Sequence, residues 1–414
     1  MFAPLTDQLP AMSDTFSFEV LRRFPDLEAD NLVAVDATDR LVLAEAATAI
    51  EATASGQVVV VGDRYGAMTL GAMALHGARG VRVHQDLVTG EQALAHNAAR
   101  LGPAMGAGAA DGFRPLPLTP ELFTAATVVI GQLPKSLDAL REITQLARGY
   151  SGADVTMFLG GRVKHMTLAM NDVLSNSFGH VQASLAHQKS RVLVASRPRQ
   201  DVSTTQERGA APTTYPLREH HLDLDLWVCA HGAAFAGTKI DIGTRFLLGF
   251  LDDMYPAAST AVDLGCGTGI IAITLARARP QLGVLATDES AGAVSSALAT
   301  VAANGLSQRV HVLRDDAMST VADASMDLIV CNPPFHLGTS VTSGASVRLF
   351  KAAGRVLKPH GQLWTVFNSH LPYRSQLTHA VGPTRVVGRN PKFTVAVSTK
   401  SSQARSAQSR PERL

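Results

Sequence analysis

Asn332-Pro333-Pro334-Phe335 closes an apolar run, Met326 to Cys331, that reads as a buried strand. The two prolines stop the strand and remove two backbone donors. A rigid corner is left, offering the Asn332 amide, the carbonyls of Pro333 and Pro334, and the ring of Phe335. Acceptors beside an aromatic face suit a planar amine: oxygens take the NH₂ hydrogens and Phe335 stacks on the ring. An exocyclic amine is a poor nucleophile because its lone pair is delocalised into the ring. Hydrogen bonds from its hydrogens to Asn332 and to the Pro333 carbonyl localise that lone pair and aim it, which is catalysis by positioning. The proton can leave late, so no strong general base is required.

A second group of residues reads as a nucleotide-type site. Val262-Asp263-Leu264 is the end of a strand, and Gly265-Cys266-Gly267-Thr268-Gly269 is a turn that opens a helix. The glycines permit a sharp turn and close approach of a ligand to the main chain. The helix then points its first N–H groups at that ligand. The G-x-G-x-G spacing also fits a nicotinamide site. Asp288 ends the next strand, where a carboxylate accepts from both ribose hydroxyls; it implies a ribose-bearing cofactor without saying which. Asp315-Asp316 follows the third strand. The Asn332–Phe335 corner then discriminates, because a nicotinamide enzyme has no use for an amine-gripping turn.

These groups must be held by a scaffold, and the C-terminal half supplies one. Strands at Ala261 to Leu264, Gly283 to Thr287, Val310 to Leu313, Leu328 to Cys331 and Gln362 to Phe367 alternate with helices at Gly269 to Arg279, Ala291 to Asn304 and Ser346 to Leu357. Such alternation implies an α/β fold: a parallel sheet with helices on both faces and ligands at the strands' carboxyl ends. The N-terminal half repeats the rhythm more weakly. Val58 to Val61 precedes Gly62-Asp63-Arg64-Tyr65-Gly66 and a helix through Ala74. Val81 to His84 precedes Asp86 and a helix to Asn97, and Val128 to Ile130 precedes Gly131-Gln132-Leu133-Pro134. The offset from the second half is about two hundred residues throughout, which predicts an internal duplication whose first copy has lost the glycine turn and the Pro-Pro corner.

The whole chain has 414 residues, 46% hydrophobic and 17% charged, with a net charge of +2. That is ordinary for a folded protein with a sizeable core and neither demands nor excludes a nucleic-acid partner. The three cysteines, Cys229, Cys266 and Cys331, lack ligand spacing, so no metal and no disulfide framework are expected, and a reducing cytoplasm suits them. No signal peptide and no membrane-spanning run is read. The boundaries predicted are a degenerate domain over 1–196, a linker over 197–224, a catalytic domain over 225–399 and a disordered tail over 400–414.

The motifs together resemble the class I S-adenosylmethionine methyltransferases that modify exocyclic amines. Phe335 continues into His336, Gly338 and Thr339. Upstream runs Phe235-Ala236-Gly237-Thr238-Lys239-Ile240-Asp241-Ile242-Gly243-Thr244-Arg245, and downstream lie Phe367-Asn368-Ser369-His370-Leu371-Pro372-Tyr373 and Lys392-Phe393. These are similar to the bacterial ribosomal RNA guanine-N2 methyltransferases, the small-subunit enzyme and its large-subunit sister. The resemblance is tight from about Phe235 to Val397 and only architectural over the first half. It implies two tandem Rossmann-like class I methyltransferase domains, the N-terminal one degenerate, and S-adenosylmethionine as cofactor. By resemblance Asp263 contacts the amino-acid end of the cofactor, Asp316 lies near the adenine amine, and the Asp241/Gly243 segment borders the cofactor. Asn332, Pro333 and Phe335 then hold a flipped guanine; His336 either helps in the base pocket or only caps the corner.

The implied reaction is methylation of the guanosine N2 amine in ribosomal RNA, with the small subunit slightly preferred. Alternatives are adenine N6 or a protein glutamine amide as the acceptor, or a non-catalytic ribosome-assembly factor. A flipped base requires the backbone to be gripped elsewhere. Arg162, Lys164, Lys189, Arg191, Arg197, Arg199 and Arg208 form a basic stretch with few acids that could track phosphates. The partner expected is ribosomal RNA or a ribosomal subunit, acted on by a cytoplasmic monomer without a membrane or metal.

Overall fold

Val58–Val61 is four valines in succession, all buried. A β-branched run buried on both faces makes a central strand, not a half-wet one. In the computed structural model this strand, β1, pairs in parallel with β2 (Val81–His84) and β4 (Val128–Gln132). β3 (Phe113–Pro115) and β5 (Thr156–Arg162) extend the parallel part, and β6 (Phe178–Ala183) and β7 (Ser190–Pro198) finish the sheet in antiparallel fashion. The strand order is β3-β2-β1-β4-β5-β7-β6. The structure describes residues 16–102, 112–200, 213–334 and 340–402.

The chain divides into two compact units, the second made of Ala210–Leu414 together with Asp86–Thr89 and Pro134–Gln145. This second unit opens with a hairpin, β8 (Leu217–His221) and β9 (Leu226–Ala230). Its main sheet contains β10 (Thr260–Leu264), β11 (Gly283–Asp288), β12 (Val310–Arg314), β13 (Met326–Cys331), β14 (Leu357–Asn368), β15 (Thr384–Arg389) and β16 (Phe393–Thr399). The order is β12-β11-β10-β13-β14-β16-β15, the permutation of the first unit repeated strand for strand. Successive residues of the central strands alternate between two cores. Ala261, Leu328 and Val330 pack on one face, and Val262, Leu264, Ile329 and Cys331 on the other. Both faces are therefore covered by helices, as an α/β sheet requires.

One expectation needs correcting. Neither sheet is wholly parallel: β14 pairs antiparallel with β16, and β16 with β15. Asn390-Pro391-Lys392 is all that joins β15 to β16, far short of a crossover, so the pair must be a hairpin. Asn390 fastens that turn by accepting from the N–H groups of Lys392 and Phe393 at 2.9 and 2.7 Å. Of the stretch 197–224 read as linker, residues 217–221 form β8. The tail beyond Ser402, and Arg208, lie outside the described residues. Among those residues no helix is long and apolar enough to cross a membrane.

Candidate active site

The sheet of the second unit changes winding direction at β10, and ligands in such folds lodge where it does. A cavity of about 370 Å³ opens there, lined among others by Gly265, Gly267, Asp288, Asp316, Asn332 and Pro333. The turn after β10 makes the opening. Gly265, Gly267 and Gly269 have φ of 73°, 53° and 80°, a region that side chains with a Cβ enter at a cost. A Cβ built on Gly265 or Gly267 would meet nothing within 4 Å, so the backbone there faces open space. Gly269 is followed by the helix Ile270–Ala278, whose N-terminus has no side-chain cap.

The acids take distinct places. Asp263 is fully buried behind the turn. Its Oδ2 accepts from Ala272 N at 3.0 Å, and its Oδ1 has no hydrogen-bond partner. Burial, with Asp288 nearby adding to it, pushes the Asp263 carboxyl up to about 7. A buried carboxylate with one oxygen unsatisfied fits a cationic or water-bridged ligand group. Asp288 lies on the cavity wall, where Oδ2 accepts from Gly267 N at 3.0 Å and Oδ1 from Ser290 N at 2.9 Å. Burial raises its pKa, and the charge of Asp86 adds to that. The neighbouring acids both border the cavity but differ in their partners: Asp315 is absorbed by the N–H and hydroxyl groups of Ser319 and Thr320. Asp316 is bridged on both oxygens by Arg348, at 2.9 Å each.

Asn332 sits at the mouth of β13 with its amide in a defined orientation. Its Nδ2 donates to Asp241 Oδ2 at 3.0 Å and to Thr244 Oγ1 at 2.9 Å. Its Oδ1 is buried without a partner. Asp241 is also the N-cap of the helix Ile242–Leu248, accepting from Thr244 N at 3.1 Å. Pro333 and Pro334 line the same cavity. An orphaned acceptor, preset beside a glycine turn and a ribose-type acid, can grip an N–H of an incoming amine. Phe335, His336, Gly338 and Thr339 lie outside the described residues.

Comparison with known proteins agrees with this arrangement. Residues 225–397 match the methyltransferase small domain, and residues 10–200 match the RLMG N-terminal domain. The ribosomal RNA large subunit methyltransferase G of Streptomyces coelicolor is 34% identical over 394 residues, 94% of this chain and 100% of that protein. The same-named protein of Pseudomonas aeruginosa is 32% identical over 388 residues, 94% of this chain and 99% of that one. The chain belongs to the ribosomal RNA large subunit methyltransferase G family. Among solved structures, a 16S rRNA N2 methyltransferase of T. thermophilus in complex with AdoMet and guanosine shares the fold. Its TM-score is 0.65 at 19% identity, covering 88% of this chain and 92% of that one.

Within this chain, the predicted residues Gly265, Gly267, Asp288, Asp316, Asp241, Asn332 and Pro333 come together around one cavity; Asp263 stands behind it. Gly243 is buried at the side. A Cβ there would lie 2.9 Å from Asp241 Oδ2 and 3.2 Å from the Phe393 ring, so its smallness clears room for the Asp241 carboxylate. Sequence reasoning missed Thr244, Arg348 and Asp86. Asp86 Oδ1 accepts from Ser290 Oγ and Gly292 N, both at 2.9 Å, and so braces the loop after Asp288. Thr244 stood within a quoted motif, but nothing in a threonine's type announces that its hydroxyl will face an asparagine 88 positions away.

Proposed function

We propose that the second unit transfers a methyl group from S-adenosylmethionine to the exocyclic N2 amine of a guanosine in large-subunit ribosomal RNA. The observation carrying this is the buried, unpartnered Oδ1 of Asn332, a residue that lines the cavity the glycine turn opens. Relatives aligned over nearly the whole chain bear the large-subunit name, which directs the choice of subunit away from the small one.

The cofactor supplies the methyl on a positively charged sulfonium, and its adenosine and amino-acid parts fit the residues present. Asp288 would hold the ribose hydroxyls, the open turn Gly265–Gly269 would pass close beside the amino-acid chain, and Asp263 would balance its ammonium. Asp316 would receive the adenine amine, with Arg348 fixing its carboxylate. Asn332 Oδ1 and the Pro333 carbonyl accept the two N2 hydrogens and draw the lone pair out of the ring. These contacts tighten as nitrogen becomes tetrahedral, so they favour the transition state over the ground state. A proton would leave the nitrogen to solvent, balancing the positive charge that comes with the methyl as the N–C bond forms and the S–C bond breaks.

The test is mass spectrometry of nucleosides from both ribosomal subunits of a strain lacking the gene and of its parent. Loss of N2-methylguanosine from large-subunit RNA, restored by the intact gene but not by Asn332→Ala, is expected. Identical profiles in both subunits would refute the assignment.

A further inference from the structure

We propose that Asp241 and Thr244 are positioning residues that lock the Asn332 amide with its oxygen, never its nitrogen, toward the target amine. The inference deepens the function proposed above and rests on it. An asparagine side chain can rotate by half a turn and exchange donor for acceptor with almost no change of shape. Facing an amine, the flipped form would set NH₂ against NH₂ and lose the contact that makes the nitrogen nucleophilic. Something must therefore forbid the flip before substrate arrives.

The geometry supplies that prohibition. Asp241 Oδ2 is an acceptor only, and it lies 3.0 Å from the Asn332 amide. Oxygen in that place would meet a carboxylate oxygen, so the nitrogen must occupy it. Thr244 Oγ1, from a residue 7% exposed, takes the second amide hydrogen at 2.9 Å. The carboxylate is itself fixed, because it caps its helix through Thr244 N and is backed by Gly243. Both N–H bonds of Asn332 are thereby used within the protein, whereas Oδ1 has no hydrogen-bond partner there.

The first unit repeats the device at equivalent positions. Gln132 ends β4 as Asn332 follows β13, and it donates from Nε2 to Asp39 Oδ1 at 2.6 Å. Asp39 is the third residue of its helix, after the N-cap Asp36, just as Thr244 is the third after the N-cap Asp241. An amide tethered to the first turn of that helix thus occurs in both halves of the molecule.

Thr244→Val keeps the shape and the backbone cap but removes one acceptor. Its expected effect is a kcat about tenfold lower on large-subunit RNA from the deletion strain, the scale of one buried hydrogen bond. Its S-adenosylmethionine affinity should stay within about twofold of the parent, since the hydroxyl is committed to Asn332. Thr244→Ser should restore kcat. An unchanged kcat in Thr244→Val would overturn the lock, as would a loss that Thr244→Ser fails to repair. An independent readout is the side-chain ¹⁵N–¹H signal pair of Asn332 in asparagine-labelled protein. Hydrogen exchange of that NH₂ should be slow in the parent and at least several-fold faster in Thr244→Val. Equal exchange in both would also overturn the lock. If the parent itself makes no N2-methylguanosine, the functional assignment fails, and the exchange measurement still decides whether the amide is held.

Discussion

At the scale of single residues, the site separates groups that act on substrate from groups that hold them. Asn332 belongs to the first kind. Asn332→Ala should leave S-adenosylmethionine affinity intact and lower turnover by about 10²–10³-fold, the scale of losing one preorganised polar contact. Calorimetry beside single-turnover kinetics checks both halves of that statement. Asp288→Ala should do the reverse and weaken cofactor affinity first; unchanged affinity would mean the ribose lies elsewhere. Asp263 offers a pH test. Its carboxyl rises from 3.8 to about 7 on folding, so the ligand-free folded state keeps a proton that the unfolded chain has released. That contribution to stability is whole below about pH 4 and is lost as pH climbs through 7. Melting of the ligand-free protein should therefore fall more between pH 5 and 8 in the parent than in Asp263→Asn. Equal slopes would remove Asp263 as the titrating group.

At the scale of elements, what could be read from sequence was what burial writes into it. The strands around Val262, Ile329 and Val59 announce themselves because both faces are covered and most positions are apolar. The helix Ala37–Glu51 was passed over: its alanine-rich face contrasts weakly with its polar one, and tertiary packing against β5 and β7 decides it. The antiparallel ends were missed for a similar reason, since β15 is an edge strand with largely exposed side chains and no clean alternation. The glycine turn was legible because only glycine sits comfortably at those dihedrals. Gly267→Ala should cost about 1–2 kcal/mol of stability through its left-handed backbone. It should cost more in cofactor affinity, because the new methyl enters the cavity. Melting and calorimetry on one sample distinguish the two effects. The tether between Asn332 and Asp241 could not be read at all: the partners stand 91 residues apart and meet only through the sheet.

At the scale of the whole molecule, the repeated strand order makes the duplication visible where residue identity does not. The exposed Lys164 and Lys189 of the first unit belong to the basic stretch that sequence reading set aside for phosphates. If they serve that purpose, replacing both by alanine should weaken RNA binding without regard to sequence. The slope of log affinity against log salt should then decrease by about one per lysine, and an unchanged slope would show that the RNA passes elsewhere. The first unit also keeps the left-handed glycines Gly62 and Gly66 around its own turn. Between them Asp63 folds inward and accepts from Gly66 N, Met68 N and Thr69 N, at 3.2, 3.2 and 2.7 Å. Its carboxyl thereby takes up donors at the start of the helix Ala67–His76 from within the turn itself, whereas in the second unit Asp263 takes only Ala272 N, from behind a turn that faces open space. A titration should accordingly saturate at a single equivalent of S-adenosylmethionine per chain: in the first half a tethered side chain already fills the place that a ligand arriving from solution would need.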